Sequence, residues 1–124
     1  MARILVVDDE PLVRSTLRQS LERAGHDVLE AEDGKGALVA YKAQRPDLVI
    51  SDVLMPQTDG LTLLRELVEL DPRIKVIAIS GGERSGGTDY IAEARALGAS
   101  SVAKPFRHAA LLALVGQVLN PDIV

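Results

Sequence analysis

Short continuous apolar runs alternate along this chain with stretches whose apolar residues recur every three or four positions. Arg3-Ile-Leu-Val-Val7 is an aliphatic run of the kind found in strands buried on both faces. Pro11 suits the first turn of a helix, where its missing N–H costs nothing. Val13, Leu17, Leu21 and Ala24 follow at helical spacing, and Gly25 predicts the stop. A second strand is expected over 26–31, then a helix over 34–44 capped by Asp33 and ended by Pro46. Asp47-Leu-Val-Ile-Ser51 predicts the third strand, with Asp52 standing at its end. Asp59 is expected to cap a helix carrying Leu61, Leu64 and Val68, closed by Asp71-Pro72. A fourth strand is expected over 74–79, leading to Ser80, and Gly81 to Gly87 reads as a loop. A helix from about Asp89 carries Ile91, Ala94 and Leu97 and stops at Gly98. Ser100 to Ala103 predicts a short fifth strand before Lys104-Pro105, and a last helix over about 107–119 shows Leu111, Val115 and Val118 at helical spacing.

Strand and helix alternate five times with short connections, the rhythm of one parallel sheet with helices on both faces and right-handed crossovers. The expected fold is therefore α/β, a doubly wound five-stranded parallel sheet in the order 2-1-3-4-5. At 124 residues the chain is expected to form one domain over 1–124. Apolar residues make up 47% and charged ones 26%, the balance of a globular protein. Aromatics are only 2%, which argues against a base-stacking platform, and a net charge of −4 argues against nucleic-acid binding through the phosphate backbone. Without cysteine there is neither a disulfide nor a thiolate metal site. No apolar run approaches the ~20 residues of a membrane span, so a cytoplasmic protein with no membrane insertion is expected.

The chemistry lies where the strands end. In doubly wound sheets ligands sit outside the carboxyl ends of the strands, where the strand order reverses. The order 2-1-3-4-5 sets strands 1 and 3 side by side, so Asp8-Asp9 and Asp52 share one crevice. Carboxylates a few ångströms apart repel by roughly 3–4 kcal/mol per pair at an effective dielectric of ~20. A hard divalent cation offsets that repulsion, and an all-oxygen set without His or Cys suits Mg²⁺ or Mn²⁺. A carboxylate beside such an ion is also a nucleophile toward phosphorus. Lys104 would neutralise one phosphoryl oxygen and the Ser80 hydroxyl would hydrogen-bond another. The acids of Asp8-Asp9-Glu10 also have a plainer reading, as first-turn residues favouring a helix dipole. His26 and His108 share no metal spacing and read as surface residues.

In order and spacing, Asp8-Asp9, Asp52 within Asp-Val-Leu-Met-Pro-Gln-Thr-Asp-Gly, Ser80, Gly98-Ala99 and Lys104-Pro105-Phe106 resemble the receiver domains of two-component response regulators along the whole chain. The resemblance implies a flavodoxin-like receiver fold. It also implies phosphoryl transfer to Asp52 from a sensor histidine kinase or a histidine phosphotransfer protein, and a switch in binding to an output protein. Asp9 would ligate the metal directly and Asp8 mostly through water, with the Leu54 backbone carbonyl as a further ligand. Such a domain is a signalling switch that takes part in its own phosphorylation and dephosphorylation rather than an enzyme. The chain departs from the family where an aromatic residue usually stands three positions before the lysine: here it is Ser101. Two other functions compete. A small-molecule phosphatase with an aspartate nucleophile usually needs a second acid two residues on, where this chain has Leu54. A degenerate receiver would bind its partner without phosphorylation.

Overall fold

The computed structural model describes residues 2–52, 54–55, 58–80, 94–103 and 107–120. In chain order these form β1 (Arg3–Val7), α1 (Pro11–Arg23), β2 (Asp27–Ala31), α2 (Gly34–Gln44) and β3 (Leu48–Asp52). There follow β4 (Leu54–Met55), β5 (Thr58–Asp59), α3 (Gly60–Leu70), β6 (Val76–Ser80), β7 (Ser100–Ala103) and α4 (His108–Leu119). A helical turn at 94–96 precedes β7. Five strands make one parallel sheet in the order β2-β1-β3-β6-β7. Numbered within that sheet alone, this is the expected 2-1-3-4-5, and the fold is the doubly wound, flavodoxin-like one. The expected loop at 81–87 and the start of the following helix lie outside the described residues.

The aliphatic runs explain why the sheet is buried on both faces. Period-two alternation sends Ile4, Val6, Leu48, Ile50, Ile77 and Ile79 to one side, where they meet Leu17 and Leu21 of α1 and Leu111 and Val115 of α4. Leu5, Val7, Val49, Val76 and Ala78 go to the other side, against Ala37 and Tyr41 of α2, Leu63, Leu64 and Leu67 of α3, and Ala94. Burying each such Leu, Ile or Val contributes about 1.5–3 kcal/mol. No helix among the described residues is long and apolar enough to cross a membrane.

Most element ends follow the expected signals. Pro11 opens α1, the Asp33 carboxylate accepts from Gly36 N at 2.8 Å, and Gly25 and Gly98 take φ of +96° and +99° after their helices. Two ends carry more than those signals predict. Pro46 disfavours a helical conformation at the residue before it, and the reversal falls on Arg45, at φ +46°. The Arg45 guanidinium lies 5.3 Å from the centre of the Tyr41 ring, a cation–π contact that helps offset that strain. Asp59, expected to cap the helix that follows, stands directly before α3 and also ends β5, in a small antiparallel hairpin that pairs Leu54 with Asp59 and Met55 with Thr58.

Tyr41 is 2% exposed, and its hydroxyl donates to Asp71 Oδ2 at 2.9 Å. Burial, and then the bond to Asp71, raises the Tyr41 pKa above its ordinary 10.0. The Arg73 backbone N–H, followed by Tyr41, lowers Asp71 below 3.8. The two directions define a window. A depressed carboxyl contributes stability that is lost as pH falls below its ordinary value, and a raised phenol contributes stability that is lost as pH climbs past its folded value. Tyr41→Phe is therefore expected to lower the melting temperature by several degrees at pH 7. Thermal scans across pH should show that deficit shrinking below pH 4, as Asp71 protonates.

Candidate functional site

Strand register brings the acids to one edge. Val7 is level with Ser51, Ser51 with Ala78, and Ala78 with Ser101. Continued by one residue, that register sets Asp8 level with Asp52, on strands spaced roughly 4.8 Å apart. Asp8 continues the alternation of Ile4 and Val6, and Asp52 that of Leu48 and Ile50, so both lie toward the α1/α4 face. Both are buried, Asp8 at 1% and Asp52 at 5% exposure. Asp52 is the last residue of β3 rather than a loop residue beyond it.

The turn that carries Asp8 is built by hydrogen bonds. Asp8 N donates to Ala31 O at 3.1 Å, Asp8 Oδ1 accepts from Glu10 N at 2.9 Å, and Arg14 Nη1 donates to the Asp8 carbonyl at 2.6 Å. Ser51 Oγ donates to the Asp52 carbonyl at 3.2 Å. Carboxylate oxygens of Asp8, Asp9 and Glu10 all lie within 4.8 Å of one another. The acids precede α1, which begins at Pro11, and its first turn contains none. Three close carboxylates in front of a helix start, all of them oxygen donors, fit a hard divalent cation.

The expected ligands are thus divided. Asp8 and Asp9 fall in the close triplet, which adds Glu10, while Asp52 stands outside that triplet and beside Asp8 on the next strand. Leu54 begins β4, two residues beyond Asp52. Ser80 ends β6 and is paired with Ala103, one residue short of position 104. Lys104 itself lies outside the described residues. Ser101, in the aromatic's place, accepts from Arg95 Nε at 3.1 Å. A cleft of about 490 Å³ lined by Tyr41, Asp71 and Lys75 opens at the other edge of the sheet and holds none of these acids.

Sequence reasoning missed Arg14, whose partners become visible only with the fold. It also took His108 for a surface residue, whereas its Nδ1 meets Ser20 Oγ between α4 and α1, in a partly buried contact.

The chain matches the response regulator receiver domain family over residues 4–116. Protein CcdB of Bacillus subtilis is 38% identical over 122 residues, covering 97% of this chain and 99% of that one. Chemotaxis protein CheY of the same organism is 35% identical over 120 residues, covering 95% and 98%. The receiver domain of NtrX from Brucella abortus superposes with a TM-score of 0.85 at 32% identity, over 94% of this chain and 98% of the other. Longer chains are matched only in part: in a structure of NtrX with ADP, this chain covers 26% of the other. The chain belongs to the response regulator receiver family of two-component signalling. Phosphorylation on aspartate and dependence on Mg²⁺ are general to that family.

Proposed function

We propose that residues 1–124 act as a single receiver domain in which Asp52 accepts a phosphoryl group from a phosphohistidine on a sensor kinase or phosphotransfer protein. The supporting observation is the burial of Asp52 beside Asp8 at the carboxyl edge of the sheet. An Asp52 carboxylate oxygen attacks phosphorus, an O–P bond forms, the N–P bond breaks, and its electron pair stays on the imidazole nitrogen. Mg²⁺ held by Asp8 and Asp9, with Asp52 and the Leu54 carbonyl, would supply positive charge toward the phosphoryl oxygens. Lys104 and Ser80 are the residues that would steady the remaining oxygens, the former by charge and the latter by its hydroxyl. Asp8 and Asp52 are both buried, so their carboxylates are fixed by the fold and need little reorganisation on transfer. The phosphorylated form then changes affinity for a separate output protein in the cytoplasm.

Intact-mass spectrometry tests the reading. With acetyl phosphate and Mg²⁺ the protein should gain one phosphoryl group, and with EDTA it should gain none. Labelling that ignores EDTA would remove the metal from the proposal. Mg²⁺ alone should also raise the melting temperature, since it binds only the folded acids. At a concentration 100 times its dissociation constant the gain is about 2.7 kcal/mol.

A further inference from the structure

Arg14 lies in α1, and only 15% of its side chain is exposed. Its Nη1 donates to the Asp8 carbonyl at 2.6 Å, while its Nε lies 3.4 Å from Glu30 Oε1 on β2. Glu30 is held in turn by Arg18 Nη1 at 2.8 Å. One guanidinium thus joins α1, the end of β1 and the edge strand β2.

We propose that Arg14 is a positioning residue for the cation site formed by Asp8 and Asp9. The carbonyl it holds belongs to the peptide unit joining those two residues. That unit is planar and rigid, so fixing its oxygen fixes the direction in which the Asp9 backbone leaves. The Asp8 N–H is already fixed by Ala31 on the other side. With both ends tied, the two carboxylates emerge at a set separation before any ion arrives. A planar fork that reaches two acceptors at once suits this task, whereas an ammonium offers a single point charge.

Charge and position predict opposite results, which makes the inference testable. A cation near an acidic cluster opposes Mg²⁺, so removing a mere charge would tighten binding. Removing a positioning group loosens it, typically by 10-fold or more for outer partners of metal ligands. The inference rests on the cation-binding reading above. A wild-type chain that fails to bind Mg²⁺ defeats that reading; wild type and variants that bind alike defeat only this one.

The experiment is calorimetric titration of the whole chain with Mg²⁺ alone, for wild type, Arg14→Ala and Arg14→Lys. We expect Arg14→Ala to bind about 10-fold more weakly, and Arg14→Lys to lose less than that but clearly more than about twofold. In the metal-free lysine variant, NMR should show displaced Asp9 and Glu10 amides while β6 is unmoved, a change that general loosening of the fold would not confine to the acidic turn. Should Arg14→Ala fail to fold, Arg14→Lys decides alone, because it keeps the charge and loses the fork. Tighter Mg²⁺ binding by Arg14→Ala, or an affinity of Arg14→Lys within about twofold of wild type, overturns the proposal.

Discussion

Replacing Asp52 by Asn leaves a folded chain that takes up no phosphoryl group from acetyl phosphate and Mg²⁺. An uncharged carboxamide is a poor nucleophile toward phosphorus, and the exchange changes neither length nor branching. The loss should be complete in intact-mass spectra recorded when wild type is mostly labelled. Stability should move the other way. Asp52 is 5% exposed and falls level with buried Asp8 when the β1/β3 register is continued by one residue, so two native carboxylates there repel, by up to roughly 3–4 kcal/mol for a close pair at an effective dielectric of ~20. Urea unfolding without metal should therefore find Asp52→Asn more stable than wild type. Added Mg²⁺ should shrink the difference, because the ion offsets the same repulsion. A variant that labels like wild type would reassign the acceptor.

How much of this was legible in the sequence depends on the range of the interactions involved. Ile4 to Val7, and Leu48 to Ile50, announced strands buried on both faces because each residue in the run is aliphatic. Once strands 1 and 3 were neighbours, Asp8 and Asp52 had to meet. The hairpin of Leu54–Met55 with Thr58–Asp59 was not legible. Its strands are too short for any periodicity, and Pro56 between them reads as a bare turn. Arg14 was hidden for another reason. It is a polar residue in an amphipathic helix, and the carbonyl and carboxylate it holds belong to an earlier strand end and a later strand. Neither partner stands at a helical spacing from it. Ser20 and His108 were hidden in the same way, 88 positions apart in the chain. The sequence pattern reached the sheet and its acidic edge; the side chains that hold the edge in place depend on register.

Ile50→Ala should cost about 3–4 kcal/mol of stability, within the range for deleting a buried isoleucine to alanine. Ile50 is fully buried in β3, paired with Val6 on β1 and Ile77 on β6. With hydrogen-bonded strands on both sides, the sheet cannot close over the missing atoms, so much of the cavity persists. For a domain of this size the melting temperature should fall by roughly 10–20 °C, and urea midpoints should drop with an unchanged slope. Ile50→Val, which removes a single methylene, should lose only about 0.5–1.5 kcal/mol. Labelling separates the two roles of this strand. Ile50 lies two residues before Asp52 on the same face, yet it packs within the apolar cluster against α1 and α4, so its loss changes how many molecules are folded rather than what a folded one does. Corrected for folded fraction, Ile50→Val should accept phosphate at the wild-type rate. A labelling defect in that stable variant would mean that core packing under β3 sets the placement of the Asp52 carboxylate, and that the site is less rigid than its burial indicates.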